Sequence, residues 1–325
     1  MMKSVVAILA CTASFYSPFL HLCQGQTETG AESKAPITAV AIDKERPLAV
    51  VGSQSGLTVR SLPDLKVLQE LPTTLLSIHD VEISSDGKRL VAVGGTPGES
   101  GCIELYEWPS GEQIKHASPH HDVIYGVAWS PDSTSFATAS ADKSVQIFDL
   151  DCQNRGTLQG HSRAVMAVDY FPNELGLLTA GVDTSIRYWD LKEMQQNPQP
   201  VRTLINHTKE VFAMGIRRRS LDTIPVAASI SQDRTVRFWQ PTIGRMMRFV
   251  RLESVPLDFC WLSDGSQLAV ACQDGRVRYV AADTAQVVKT IDALDGIAYC
   301  VAVDSKNGLL VGGVDGQLRY LSPRE

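Results

Sequence analysis

LLTAGVDTSIRYWDL, residues 177–191, holds the pattern that decides the fold. A small-residue apolar run ends at a turn centred on Asp183, and the alternating run SIRYWDL follows it. Period-two alternation bounded by turn residues marks a strand with one face buried, so the stretch reads as two paired strands. Further copies stand at FATASADKSVQIFDL (136–150), VAASISQDRTVRFWQ (226–240), LAVACQDGRVRYVA (268–281) and LLVGGVDGQLRYLS (309–322). Their turn aspartates, Asp142, Asp183, Asp233, Asp274 and Asp315, follow one another at intervals of 41, 50, 41 and 41 residues. A period near 40 with several short strands per unit means a radial array, because one unit cannot bury its apolar faces alone.

Working outward, each unit opens with an apolar strand, as in VIYGVAWS (123–130), AVMAVDYF (164–171) and IAYCVAVD (297–304). Turns of the Ser-Pro-Asp or Ser-Asp-Gly kind follow, where Pro presets φ and Gly supplies positive φ. A more polar fourth run closes the unit, as in KVLQEL and VVKTI. Four antiparallel strands per unit make the blade of an all-β propeller. Seven units are expected, at about 37–72, 73–115, 116–159, 160–205, 206–252, 253–292 and 293–325. Blade two carries an insertion, GTPGESG (95–101), and blade five carries RRRSLDTI (217–224), which accounts for the one 50-residue interval.

Composition bounds the function. The 325 residues carry a formal net charge of −6, which argues against a nucleic-acid binder, whose affinity rests on neutralising phosphates. The cluster Arg217-Arg218-Arg219 reads as a solvated loop. Met1–Lys3 is positive, Val5–Cys23 is mostly apolar and uncharged, and Cys23-Gln24-Gly25 places small residues for a cut before Gln26. That is the layout of a secretory signal peptide, so the expected division is signal peptide 1–25, linker or closing strand 26–36 and propeller 37–325. Pro18 and the polar Thr12, Ser14 and Ser17 make the segment a poor permanent span, and no stable membrane span is expected after cleavage. An uncleaved membrane anchor is the alternative. The remaining Cys102, Cys152, Cys260, Cys272 and Cys300 are odd in number and lack paired or zinc-type spacing. No disulfide framework, metal or cofactor is expected.

The copies resemble WD40 repeats over about nine-tenths of the chain. Trp189-Asp190 is the signature dipeptide and Gly160-His161 the signature opening, with Phe148-Asp149 and Trp239-Gln240 as near matches. The resemblance implies hydrogen-bonded tetrads inside the blades: His161, Thr179, Asp183 and Trp189, then His207, Ser229, Asp233 and Trp239. Blade three keeps His120, Thr138 and Asp142 but has Phe148, which lacks an N–H. Blades six and seven keep only Asp274 and Asp315, able to cap their turns. These trios mimic a nucleophile, base and orienter, yet they recur in phase, whereas a catalytic set would occur once. They are assigned to stability. The resemblance also implies a closing strand for blade seven, and a short clasp near 26–35 is expected.

The same resemblance implies partner binding on the top face, at residues just after the histidine phase. Those carried over are Thr38, Ser77, His79, Val123, Tyr125, Ala164, Met166, Glu210, Phe212, Val255, Leu257 and Ala298, with Ala141, Val182, Gln232, Gln273 and Val314 before the turns. Tyr125, Met166, Phe212 and Leu257 fall on consecutive blades and together would form an apolar arc; packing into the ring is the competing reading. His79 and Glu210 are the ionisable members. No HExxH, GxSxG, P-loop or CxxCH motif occurs. The expectation is a non-catalytic scaffold, periplasmic or secreted, for a protein or peptide. The alternatives are an exported, lactonase-like propeller hydrolase and a cytosolic scaffold.

Overall fold

The computed structural model describes residues 34–172, 176–192, 198–219 and 222–323. Twenty-seven strands among them form seven antiparallel sheets in simple meander order. Blade one is β1 (Ile37–Ile42), β2 (Leu48–Ser53), β3 (Gly56–Ser61) and β4 (Val67–Leu71); blade two is β5 (Ile78–Ile83), β6 (Arg89–Thr96), β7 (Ser100–Glu107) and β8 (Gln113–His120). Blade three is β9 (Ile124–Trp129), β10 (Ser135–Ser140), β11 (Ser144–Asp149) and β12 (Asn154–Gln159); blade four is β13 (Val165–Tyr170), β14 (Gly176–Gly181), β15 (Ile186–Asp190) and β16 (Arg202–Leu204). Blade five is β17 (Val211–Ile216), β18 (Ala227–Ser231), β19 (Thr235–Gln240) and β20 (Arg245–Arg251); blade six is β21 (Pro256–Trp261), β22 (Gln267–Cys272), β23 (Arg276–Ala281) and β24 (Gln286–Asp292). Blade seven shows β25 (Ala298–Val303), β26 (Leu309–Gly313) and β27 (Leu318–Leu321). Blade two extends to His120 rather than residue 115, because the insertion lengthens β6 and β7 and the fourth strand pairs along β7.

The innermost strands neighbour one another in the order β1, β5, β9, β13, β17, β21, β25 and back to β1, so the ring is closed. Second strands such as β14 are buried throughout and β10 and β22 nearly so, because each sheet is covered on both faces by its neighbours. Their Ala, Gly, Ser and Thr content lets the sheets approach. Outer strands meet solvent, and β24 is almost wholly exposed. Blades seven and one join through Ile37, Ile42, Ala49, Val51, Cys300 and Leu310. Gly312 makes that seam possible, since a Cβ there would lie 2.5 Å from the Ile37 Cγ2. The clasp near 26–35 and the signal segment fall almost entirely outside the described residues. Among the described residues no helix is long and apolar enough to cross a membrane.

The recurring polar trios tie each linking loop to the turn of the blade it enters. In blade four the Trp189 indole N–H donates to Thr179 Oγ1 (2.9 Å), which lies 2.8 Å from His161 Nε2. His161 Nδ1 lies 3.0 Å from Asp183. A single direction of donation satisfies every member: Trp to Thr, Thr to His, His to carboxylate. Blade five repeats it, with Trp239 to Ser229 at 2.8 Å, Ser229 to His207 at 2.7 Å and His207 to Asp233 at 2.9 Å. In blade three His120 reaches Thr138 (2.8 Å) and Asp142 (2.7 Å), and Phe148 packs in the core where an indole would donate. Each turn aspartate also accepts the backbone N–H of the residue after the histidine. Burial pushes these carboxyls up, but the histidine and hydroxyl hydrogen bonds prevail and hold Asp142, Asp183 and Asp233 well below the usual range. Their contribution is therefore complete above the ordinary aspartate range and is lost only as pH falls into strong acid.

Where the trio is missing, other chemistry holds the same loop. Blade two has Thr74 at the histidine phase, and the fully buried Glu104 accepts from Thr73 Oγ1 (2.6 Å), Thr74 N (2.8 Å), Thr74 Oγ1 (2.8 Å) and Tyr106 OH (2.6 Å). In blade six the Asp274 backbone N–H donates to Ser254 Oγ of the loop (3.1 Å), while the Arg278 guanidinium grips the Asp274 carboxylate with bonds of 2.9 and 2.6 Å. In blade seven Arg319 donates to the loop carbonyls of Asp292 and Ala293 instead. Asp315 itself sits at φ 54°, and no hydrogen bond to its carboxylate occurs among the described residues. Capping by Asp315, expected from its phase, is thus replaced by the arginine. Asp183→Ala strands His161, Ser162 N–H and Ser185, each costing about 1–3 kcal/mol when left unpaired. Thermal unfolding should show Asp183→Ala melting at least about 5 °C below Asp315→Ala; equal losses would count against the loop-to-turn role.

Candidate partner-binding face

Every innermost strand starts with a β-bulge, at Ile37/Ala39, Ile78/Asp80, Val165/Ala167, Val211/Ala213, Pro256/Asp258 and Ala298/Cys300, and opposite Ala139/Ser140 in β9. A bulge leaves one residue unpaired and re-aims its side chain. That residue is Thr38, His79, Tyr125, Met166, Phe212, Leu257 and Tyr299 in blades one to seven, a collar with one member per blade. Blade seven contributes Tyr299 rather than the expected Ala298, which pairs with Gly313 and is buried.

The collar is only partly on offer. Met166 is 6% exposed and Tyr299 likewise 6%, so the arc Tyr125, Met166, Phe212, Leu257 is interrupted. Phe212 is half-buried against the core shared by blades five and six, and Leu257 is half-buried. Val123 and Val182, also carried over by phase, are buried. His79 and Tyr125 meet edge to face with ring centroids 5.2 Å apart, and Ser77 Oγ lies 3.2 Å from His79 Nε2. Burial drives the His79 pKa down to about 4, so the imidazole is neutral at neutral pH. Glu210, at the rim, faces Arg163 at 3.8 Å.

Two features beside this pair escape the sequence pattern. Leu76 is 73% exposed in the loop entering blade two, at the phase where later blades have Arg163 and Lys209. The blade-two insertion prolongs the β6–β7 hairpin, with Pro97, Gly98 and Glu99 exposed at its tip. Gly98 N–H donates to Asp122 Oδ1 of the blade-three loop (2.8 Å), anchoring the hairpin across the seam. Blades two and three thus join an exposed leucine, an aromatic–imidazole pair and an anchored hairpin on one face.

Deeper in the ring the first strands hold four carboxylates that the sequence reading did not count as ionisable first-strand positions. Each accepts a backbone N–H from the next blade: Asp80 from Val127 (3.0 Å), Glu82 from Trp129 (2.8 Å), Asp169 from Ile216 (2.7 Å) and Asp258 from Val301 (2.8 Å). The blade-five insertion adds a cation, with Arg218 donating to Asp169 at 2.9 Å. Arg217 is 7% exposed and bidentate to Asp222. The arginine run, expected to be solvated, is so only in part: Arg217 is buried on Asp222, whereas Arg218 stays exposed while it donates to Asp169. Among the described residues the five cysteines are free, and no group of three His, Cys, Asp or Glu side chains is placed to hold a metal.

Comparison with known proteins places these repeats. The model of the "WD domain, G-beta repeat" matches residues 111–149 and 152–190, each starting in or just before a fourth strand, so the sequence repeat straddles two blades. The model of the anaphase-promoting complex subunit 4 WD40 domain matches 251–305. The chain is 32% identical to nuclear distribution protein PAC1 of Arthroderma benhamiae over 149 residues, covering 43% of this chain and 32% of that protein. It is 26% identical to WD repeat-containing protein 1 of Xenopus tropicalis over 261 residues, covering 76% of this chain and 40% of that protein. It is 23% identical to serine-threonine kinase receptor-associated protein of Gallus gallus over 214 residues, covering 66% of this chain and 59% of that protein. The matches span between a third and three-fifths of these relatives' lengths. Repeat matches, blade count and loop-to-turn networks agree: the chain carries WD40 repeats on a seven-bladed β-propeller.

Proposed function

We propose that this protein is a non-catalytic interaction scaffold that binds a protein or peptide on its top face, centred on the seam between blades two and three, and that it works after export. The observation that carries this reading is exposed Leu76 in the loop three residues before His79, together with the His79–Tyr125 contact and the hairpin anchored between the same two blades. Apolar and aromatic groups on a rigid support are what interfaces use as anchors. Similar proteins are named for nuclear distribution, for association with a serine-threonine kinase receptor and for WD repeats, and the scaffold reading extends to this chain from that company.

The enzyme-like residues are otherwise occupied. The Ser/Thr–His–Asp trios recur in three blades and hold loops to turns. The channel carboxylates each accept a backbone N–H of the adjacent blade, so they join blades rather than present a base to a substrate. Export rests on the charge and hydropathy layout of residues 1–25, and cleavage before Gln26 leaves no apolar stretch of spanning length there.

Affinity capture from the exported fraction should separate the variants Leu76→Glu and Tyr125→Ala from wild type. Each is expected to weaken the captured complex at least about tenfold, while Lys88→Glu, on the turn at the opposite end of blade two, leaves it unchanged. Equal capture by all four chains overturns the top-face assignment. N-terminal sequencing of the mature protein is expected to begin at Gln26; a start at Met1 or Met2 removes the export reading.

A further inference from the structure

Charge is spread unevenly along this chain. Residues 202–251 hold ten Lys and Arg against three Asp and Glu, a net +7, which leaves −13 for the rest of a chain whose total is −6. Part of the excess is neutralised in place: Arg217 pairs with Asp222, Arg218 with Asp169 and Arg237 with Asp233. Much of the remainder gathers on β20, the outer strand of blade five, which reads RMMRFVR and contains no acid. The outer strands of blades one to four and six hold one Lys or Arg at most. In blades two and three that residue is paired, Lys115 with Asp151 and Arg155 with Asp149.

The strand register fixes where the arginines stand. Arg251 lies opposite Thr235, Phe249 opposite Arg237, Arg248 opposite Phe238 and Arg245 opposite Gln240. Arg251 and Phe249 therefore share one sheet face, and Arg245 and Arg248 share the other. The Arg237 guanidinium sits 5.3 Å from the centre of the Phe249 ring and donates to Met246 Sδ at 3.3 Å, so the ring is held in place although it is 52% exposed. Arg202 of β16 flanks the row, since a Cβ on Gly244 would lie 3.5 Å from its Cδ. Arg202, Arg245 and Arg251 are exposed, and among the described residues none of them makes an ion pair.

We propose that this edge of blade five is a second binding surface, apart from the face at blades two and three, and that it takes an acidic peptide segment of a protein partner in extended form. β20 is the last strand of its sheet, so its outward N–H and C=O groups can pair with an added strand. Side chains of an added strand alternate between the two sheet faces, and an arginine stands on each. Guanidinium forks take carboxylates through paired bonds, and Phe249 supplies an apolar contact among them. From Arg245 to Arg251 the strand rises about 20 Å, the span of about seven extended residues. One charge is enough to blunt an exposed edge; three arginines on one strand repel one another, and an anionic partner relieves that repulsion.

The basic field is also narrow, which selects among anions. Blade six, alongside, presents Glu253, Asp283 and Asp292 with side chains 89%, 78% and 85% exposed. A bilayer or a nucleic-acid duplex laid on the rim would press its phosphates against those carboxylates. A single peptide chain follows β20 alone.

Fluorescence anisotropy of the full chain tests this with a fluorescein-labelled heptapeptide, three glutamates on either side of a leucine. Binding with a Kd in about the micromolar range is expected. Arg245→Glu/Arg251→Glu should raise that Kd at least about tenfold, whereas Lys44→Glu/Lys66→Glu, the same charge change at exposed positions of blade one, should raise it no more than about twofold. No binding at peptide concentrations up to about 100 µM, or equal losses in the two double variants, overturns the proposal. Phosphatidylserine vesicles and a short DNA duplex are measured beside the peptide. Tighter binding of either one, lost in the arginine variant, overturns the peptide assignment.

Discussion

The loop that carries the chain from the rim of one blade to the axis of the next is held by a buried hydrogen-bond network on the blade it enters, and the ring depends on that hold. The loop's polar backbone lies close to apolar sheet faces, so leaving it unpaired would cost on the order of 1–3 kcal/mol per group. In blades three, four and five a histidine on the loop meets the turn aspartate and a strand hydroxyl. Fixing the loop fixes where the next innermost strand begins, and so the angle between adjacent sheets. The constraint is on the loop, not on the residue types. Blade two meets it with one buried glutamate, blade six with a loop serine on the turn backbone and blade seven with an arginine on carbonyls.

Apolar packing completes what these bonds position. The clusters of buried side chains run across neighbouring blades rather than within one, as where blade one residues meet Cys300 and Leu310 of blade seven. A blade alone would leave both sheet faces wet, which is why the units are stable only as a ring. At the axis, bulges and carboxylates add a second set of connections. Each bulge turns one side chain toward the collar, and four acidic side chains reach across seams to the next blade's free N–H groups. The innermost strand is a sheet edge, and its unpaired donors need partners.

The top face gains its individuality where the repeat fails. Blade two has lost its histidine and turn aspartate and gained a longer hairpin, an exposed leucine and a loop held by Glu104. The His79–Tyr125 pair lies at the same place. A ring of seven similar units offers seven similar sites, and departure from the repeat distinguishes one of them for a partner. Blade five departs differently: Arg218, at the start of its insertion, donates to Asp169 of blade four.

The sequence by itself determined the fold class, the number of blades, the hairpins around the turn aspartates and the membership of the histidine trios. These follow from strand alternation and from a period that places the same residue types at the same phase, information local to each unit. Only the tertiary structure decided the rest. Asp80, Glu82, Asp169 and Asp258 look like ordinary polar positions in alternating strands, and nothing local says that each accepts a backbone N–H of the next blade. The collar residue of blade seven is Tyr299, the unpaired member of its bulge, whereas Ala298 is paired and buried, a distinction that alternation cannot register. Met166 reads as an anchor by phase and is buried by its neighbours, and Leu76 lies in a loop with no pattern to mark it. Burial and charge proximity arise between blades 40 or more residues apart, so they exist only once the ring has closed.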